Sequence, residues 1–223
     1  MNDYVLTCCS TADLSLEHFQ DRQIKVLPFH FELNGVHYLD DLGQTVSFET
    51  FYQALADGAE TKTSQANVNE YVDFFSDILA AGKDILHVCL SSGLSGTYNS
   101  ACIATEMLKE QFPDRKLLIV DSLGASSGYG LIMDKLADLR DEGRSIDAVY
   151  QWALDNRLRM HHWFFLTDLS FYVKGGRISK TAGLVGGILG ICPLLSMDLN
   201  GKLVPRYKIR TKKKVIAAIV KNE

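Results

Sequence analysis

Serines and glycines crowd one short segment, Ser91 to Thr97, which directly follows an apolar run. A strand that ends in such residues and leads into a helix places hydroxyls and free backbone N–H groups at one point, and that geometry attracts anions. The same residues also serve simply to cap helices and turn the chain, and the segment alone does not separate these two interpretations. Further serines, Ser10 and Ser126-Ser127, occupy similar positions after other apolar runs.

Ser95 is the residue that a hydrolase would use as its nucleophile. The elbow motif Gly-x-Ser-x-Gly is broken here, because Gly96 stands one place too early. A serine hydrolase also needs a histidine base, and none of the six histidines stands out in a loop. His87 lies inside an apolar run and is expected to be a core histidine. His161-His162 opens a strand with its side chains on opposite faces, so this pair alone does not predict a metal site.

Cofactor motifs are missing from the sequence. There is no phosphate-binding loop of the Gly-x-x-x-x-Gly-Lys-[Ser/Thr] type, and Gly128-Tyr129-Gly130 lacks the third glycine of a dinucleotide fingerprint. The five cysteines include no Cys-x-x-Cys pair and stand mostly among apolar neighbours, as is typical of structural thiols in a reducing cytoplasm. We therefore predict a cytoplasmic protein with no cofactor and no metal.

Short apolar runs alternate with helical patterns over the first part of the chain, which predicts βα units and a parallel sheet. The expected strands are Tyr4–Cys8, Ile85–Leu90 and Leu117–Val120. In open α/β sheets, ligands bind beyond the carboxyl ends of the strands, so the three serine-bearing loops are expected to line one crevice. The ligand should carry a negative head group.

Between the first two units, Asn34-Gly35 separates two alternating runs and predicts a β-hairpin. Helices are expected over Ser47–Asp57 and over Asn67–Ala81, where the second begins with capping-box spacing. Thr63-Ser64-Gln65 is expected to lie in the loop between these helices.

A domain boundary is predicted near residue 160. His161–Thr167 is the last clear strand of the acidic part, and beyond it the sequence becomes rich in glycine and basic residues. Residues 1–169 hold 12 Lys+Arg against 25 Asp+Glu, whereas residues 170–223 hold 11 against 2. We assign residues 1–160 to an N-terminal α/β domain and 161–223 to a smaller second α/β domain.

Two features of the second part are relevant to an acidic apolar ligand. Arg177 follows two glycines and is placed either to reach a negative head group or to pair with a carboxylate across the boundary. The helix-like run Ala182–Leu195 is wholly apolar, with four glycines and a proline among 14 residues, so it is shorter than the roughly 20 that a membrane span needs. It indicates either a narrow apolar tunnel or ordinary core packing.

Six basic residues between positions 206 and 214 are not interrupted by any acid. Arg206, Lys208 and Arg210 are expected to be a solvated strand that runs into a helix start, with an anionic membrane or an acidic protein surface as the alternative partner. Nucleic acid is excluded as a partner, because the chain has a net charge of −4 and no nucleic-acid motif.

Taken together, five motifs resemble the DegV family in order and spacing. They are Ser10-Thr11-Ala12-Asp13-Leu14, Thr63-Ser64-Gln65, Ser91 to Tyr98, Asp121-Ser122 with Ser127-Gly128-Tyr129-Gly130, and Lys174-Gly175-Gly176-Arg177-Ile178-Ser179. Each motif is weak alone, but together they cover nearly the whole chain. The resemblance implies a two-lobed α/β fold, with a parallel-sheet N-terminal domain and a smaller C-terminal α/β domain.

DegV-type proteins are bacterial fatty-acid carriers, so the resemblance implies that a long-chain fatty acid is buried between the lobes. By motif, Thr63 and Ser95 would hold its carboxylate, and Arg177 would lie near this head group. Ser92 and Ser127, in the neighbouring loops, complete the predicted set of ligand-binding residues. No catalytic residue is predicted, and a serine-dependent acyl or phosphate-ester hydrolase is the alternative function.

Some family members present the bound acid to a separate fatty-acid kinase, which makes such a kinase a possible partner. The chain departs from the family pattern at Cys9, Ala66 and Cys192, where aspartate, proline and lysine are usual. It also ends at Glu223 inside a helical pattern, so the second lobe is expected to be incomplete. A domain kept only for protein contacts is a third interpretation.

Overall fold

The computed structural model describes residues 4–166, 170–178 and 191–221. Its central sheet is formed by Tyr4–Cys9 (β1), Ile24–Leu27 (β2), Asp84–Cys89 (β6) and Leu117–Asp121 (β7). These strands are all parallel, in the order β2-β1-β6-β7. The parallel sheet predicted from three βα units is confirmed, and β2 is an edge strand that the pattern did not indicate.

Helices cover both faces of this sheet. The helices among the described residues are Leu16–Asp21 (α1), Phe48–Ala56 (α2), Val68–Ala80 (α3), Thr97–Leu108 (α4), Ser126–Asp141 (α5), Ile146–Asn156 (α6), Ser170–Lys174 (α7) and Lys212–Lys221 (α8). Short 3-10 turns occupy Ser10–Ala12 and Arg157–Arg159. The two predicted helices that follow the hairpin are confirmed as α2 and α3.

Two apolar cores result from this layering. On one face, α3 and α4 bury Tyr71 and Phe75 against β1 and β6, and on the other face α5 and α6 bury Tyr129 and Leu136. Fully burying one large apolar side chain contributes about 1.5–3 kcal/mol. The cores therefore fix the carboxyl ends of β1, β6 and β7, and with them the loops that follow these strands.

A smaller antiparallel sheet is formed by His30–Leu33 (β3), Val36–Leu39 (β4) and Thr61–Ser64 (β5), in the order β4-β3-β5. Helix α2 contacts this sheet through Phe51, which packs against Phe31. The hairpin predicted at Asn34-Gly35 is confirmed, and both of its turn residues have positive φ, +50° and +82°. The loop predicted for Thr63 is wrong, because this residue lies in β5 and pairs with Phe31.

The third sheet is also antiparallel and is formed by Trp163–Phe165 (β8), Ile191–Met197 (β9) and Leu203–Arg210 (β10). Its strand order is β10-β9-β8. The helix-like interpretation of Ala182–Leu195 is wrong for residues 191–195, which lie in β9, while residues 182–190 fall outside the described parts of the chain. The basic run forms most of β10 and the start of α8, as the sequence predicted.

Within the described ranges, no helix is both long enough and apolar enough to cross a membrane. All five cysteines are free thiols, and four of them are buried.

His87, in the middle of β6, is fully buried, as predicted for a core histidine. Its Nδ1 lies 2.8 Å from Thr7 Oγ1. Burial lowers the pKa of His87 from 6.5 to about 3, because a charged imidazolium would lose its hydration. Between these two pKa values the unfolded chain binds more protons than the folded chain does, so the fold loses stability as the pH falls.

We therefore expect His87 alone to lower the free energy of unfolding by about 1.6 kcal/mol between pH 6.5 and pH 5. Urea unfolding at several pH values measures this slope. His87→Gln removes the titrating group, so its slope should be shallower by that amount, while other titrations affect both proteins equally. Identical slopes in the two proteins would contradict the assignment.

Candidate functional site

A cavity with a volume of about 750 Å³ lies where the three sheets meet. We call it the main cavity. The loops after β1 and β6, the start of α5, β3 and β5 of the small sheet with α2, and residues of β8, of α7 and of the turn after α7 all contribute to its wall. Its volume falls within the range of small-molecule sites, which is about 300–1,000 Å³.

Much of the wall is aromatic. These side chains come from β3 and the residue before it, from α2, from β8 and from α7, and they are Phe29, Phe31, Phe48, Phe51, Tyr52, Trp163, Phe164, Phe165 and Tyr172. Phe31 and Phe51 pack edge to face, with ring centroids 5.2 Å apart. No residue of α2 is fully buried, and its side chains Phe48 and Tyr52 are 59% and 65% exposed. This part of the wall suits a long apolar ligand that would cover exposed aromatic surface.

The polar part of the wall combines hydroxyls with the start of α5. Thr11, Thr63, Ser126 and Ser127 all line the main cavity. The α5 helix begins at Ser126 without a side-chain cap, so its positive end and free N–H groups stand at the wall. Such a position favours a negatively charged group.

Asp13, in the same wall, has a left-handed backbone with φ of +53°. Burial raises the pKa of its carboxyl group, a hydrogen bond from Ser126 opposes this, and the nearby Asp40 raises the pKa further.

The residues predicted to bind the ligand divide into two groups. Thr63, Ser127 and Arg177 line the main cavity, and Arg177 Nη1 donates to the carbonyl oxygen of Gly175 at 2.6 Å. Ser92 and Ser95 do not line it. Ser92 is exposed, and its backbone N–H donates to Asp121 Oδ1 at 3.1 Å.

Ser95 is connected to the β5 side of the site through Gln65. The Ser95 hydroxyl donates to Gln65 Oε1 at 2.9 Å and accepts from the backbone N–H of Thr97 at 3.2 Å. Gln65 Nε2 in turn donates to Ser100 Oγ at 3.0 Å. In the described parts of the chain, Ser95 makes no hydrogen bond to a histidine, so the base that a serine hydrolase needs is not in place there.

The sequence did not single out His162 as a site residue. Its Nε2 accepts from the backbone N–H of Ala125 at 3.4 Å, so the proton belongs on Nδ1, which donates to the carbonyl oxygen of Met160 at 2.8 Å. The ring packs so closely over two glycines that a Cβ atom at Gly124 or Gly128 would lie 2.7 or 2.1 Å from Nε2. The sequence signal that could have pointed to a side chain packed here is the pair of glycines, Gly124 and Gly128, on either side of the start of α5.

The turn between β9 and β10 closes against the loop after β6. Ser91 Oγ donates to the carbonyl oxygen of Gly201 at 2.7 Å. A Cβ atom on Gly93 would lie 2.6 Å from the carbonyl oxygens of both Asn200 and Gly201. Gly93 is therefore a glycine because two backbones meet at this point, and the contact joins the third sheet to the first beside Leu94 of the cavity wall.

Within the residues that the structure describes, no group of three or more His, Cys, Asp or Glu side chains is placed to hold a metal ion.

A model of the DegV family, which is described as uncharacterised, matches residues 7–222. A DegV domain-containing protein of Clostridium perfringens is 35% identical over 214 residues, which are 96% of this chain and 74% of that protein. The DegV domain-containing protein YteA of Lactococcus lactis is 36% identical over 93% of this chain and 72% of its own length.

Solved structures resemble the whole chain. A DegV lipid-binding protein from Thermotoga maritima matches with a TM-score of 0.86 and 27% identity, over 100% of this chain and 76% of its own. A fatty-acid-binding DegV family protein from Thermus thermophilus gives 0.85 and 28%, over 99% and 76%. The fatty acid kinase B3 protein of Streptococcus pneumoniae, loaded with linoleic acid, gives 0.86 and 25%, over 100% and 78%. The two-lobed α/β expectation agrees with these matches, and the chain belongs to the DegV family.

Proposed function

We propose that this protein is a cytoplasmic carrier that binds one long-chain fatty acid in the main cavity and presents it to a separate fatty-acid kinase. The observation that carries the proposal is the main cavity of about 750 Å³, which joins an aromatic wall to hydroxyls and the start of α5. Solved relatives of similar fold are described as binding lipid or as binding or carrying a fatty acid, which supports the same ligand class here. In this proposal the protein itself performs no chemistry and uses no cofactor.

The two parts of the wall have separate roles in this proposal. Burying an acyl chain contributes about 0.8 kcal/mol per CH₂, or roughly 10 kcal/mol for a sixteen-carbon acid. Each hydrogen bond to the carboxylate adds only about 1.5–3 kcal/mol and is opposed by the loss of hydration. The tail therefore sets the affinity, and the head group sets the orientation.

We propose that Thr63 and Ser95 hold the carboxylate, with Arg177, Ser127 and Ser92 close to it. Thr63 lines the main cavity, which supports this role. Ser95 would have to rotate its hydroxyl away from Gln65 Oε1 to donate to a ligand oxygen. In the same proposal, the protein divides into lobes at residue 160, and the carboxylate lies toward the N-terminal lobe.

The double variant Thr63→Ala/Ser95→Ala tests this head-group assignment. We expect fatty-acid binding to weaken about tenfold or more and phosphorylation by a partner kinase to be lost, because the carboxylate loses two donors. Far-UV circular dichroism should stay unchanged. Ser64→Ala is the matched control, since Ser64 is an exposed neighbour in β5 that does not line the main cavity. Unchanged binding and phosphorylation in the double variant would refute the assignment.

We further propose that β10 supplies the surface that contacts the kinase or, transiently, an anionic membrane. Arg206, Lys208 and Arg210 are all exposed on this strand. Each basic residue near an anionic lipid surface contributes about 1 kcal/mol of attraction. The start of α8 extends the same positive surface with three consecutive lysines.

A further inference from the structure

A second cavity, of about 340 Å³, lies beside the main cavity. The two share a wall made by His161, His162, Trp163 and Met197. The other side of the second cavity is formed by the 3-10 turn after α6 and by the β9–β10 hairpin. Because it adjoins the loop after β7, it also opens at the carboxyl end of the parallel sheet, where α/β proteins bind ligands.

Two arginines from distant parts of the chain line this second cavity, and each is held by a neutral acceptor. Arg157 Nη1 donates to the backbone carbonyl of Asp121 at 2.7 Å. Arg206 Nε donates to Ser196 Oγ at 2.7 Å, and Ser196 lines the same cavity. A guanidinium group has five N–H donors, so each bond fixes the side chain while leaving donors for another partner.

Neither positive charge is neutralised by the protein around it. In the described part of the chain, no carboxylate oxygen lies within 4.0 Å of Arg157 or Arg206. Asp198 also lines the second cavity, but its Oδ1 accepts from the backbone N–H groups of Asn200 and Lys202, both at 2.9 Å. The second cavity therefore holds two guanidinium groups with no ion-pair partner among the described residues, together with one carboxylate that is hydrogen-bonded to backbone, beside Trp163 and Tyr207.

We propose that the second cavity binds a terminal phosphate group. A phosphate dianion matches two guanidinium groups in charge and offers three oxygens to their donors, whereas a carboxylate has one charge and two oxygens. The aromatic side chains of Trp163 and Tyr207 provide contact area for whatever carries the phosphate. This proposal goes beyond fatty-acid binding, since it concerns a different cavity and a different ligand.

Isothermal titration of the 223-residue chain with inorganic phosphate and with ATP tests for soluble phosphates. Flotation with phosphatidylcholine vesicles, with or without phosphatidic acid, tests for a lipid headgroup. Arg157→Gln and Arg206→Gln should each weaken the binding roughly tenfold to a hundredfold, because each removes a charge-assisted hydrogen-bond donor. Arg159→Gln and Arg144→Gln are matched controls, since both arginines are exposed and lie outside the second cavity and outside β10.

Saturable binding of phosphate or ATP that both test variants weaken and both controls retain supports the proposal, with a soluble ligand as the source. Recruitment only to vesicles that contain phosphatidic acid, with the same dependence on Arg157 and Arg206, supports a lipid headgroup as the source. Absence of binding to all of these probes overturns the proposal, as does binding that the four variants weaken equally. Fatty-acid retention is measured separately on each variant, so failure of the fatty-acid proposal is recognised independently.

Discussion

Replacing Leu94 by tryptophan is expected to lower the affinity for a long-chain fatty acid about a hundredfold. Leu94 follows β6 and lines the main cavity, so the larger indole removes room for roughly three or four methylene groups. At about 0.8 kcal/mol per methylene, the loss is about 3 kcal/mol, which corresponds to two orders of magnitude in the dissociation constant. Displacement of a fluorescent fatty acid by palmitate or oleate measures the effect.

Leu94 directly precedes Ser95, which the proposal places at the carboxylate, so Leu94→Trp should weaken the binding of decanoate and of palmitate to a similar degree. Met107→Trp is the control for the added bulk, since Met107 is 51% exposed on α4 and lies outside the main cavity. A Leu94→Trp protein that folds normally and binds palmitate as tightly as the parent would contradict the placement of the acyl chain.

Gly93→Ala is expected to lower the free energy of unfolding by about 2–4 kcal/mol. The new Cβ would stand 2.6 Å from the carbonyl oxygens of Asn200 and Gly201, and backbone atoms cannot rotate away as a side chain can. The β9–β10 turn must therefore move, with a cost typical of overpacking and with loss of the hydrogen bond from Ser91 to Gly201. We expect the melting temperature to fall by roughly 5–15 °C and fatty-acid retention to fall with it.

Gly96→Ala is the matched control for stability on the same loop. Its Cβ would meet only the end of the Gln65 side chain, at 3.1 Å, which can shift at little cost. Ser91→Ala removes the hydrogen bond without the clash and should cost about 1 kcal/mol. Equal melting temperatures for the Gly93 and Gly96 variants would show that the β9–β10 turn does not pack against this loop as described.

Local patterns were sufficient to predict the parallel sheet, the hairpin at Asn34-Gly35 and the helices α2 and α3, because each depends on residues close in sequence. The strand β5 was not predictable in this way. Thr61-Lys62-Thr63-Ser64 has no apolar alternation, and it becomes a strand only because β3 offers a free edge to pair with. The short strand β2 was likewise missed at the edge of the parallel sheet.

The site was partly predictable for a similar reason. The serine-bearing loops follow neighbouring strands, so Thr11, Leu94 and Ser127 do meet in one wall, as the rule for α/β sheets implies. The partner of Ser95 was not foreseen, because the hydrogen bond to Gln65 depends on how β5 approaches α4. The role of His162 in the site was not predictable from the sequence either, because its position over Gly128 depends on contacts between segments that are distant in the chain.

The most direct test of fatty-acid binding is mass spectrometry of an organic extract of the purified protein, together with native mass spectrometry of the intact species. We expect one long-chain fatty acid per chain, and a native mass that falls by the mass of that acid after delipidation. An empty extract, with no uptake when palmitate or oleate is added to the folded protein, would contradict the proposal that the main cavity holds a fatty acid.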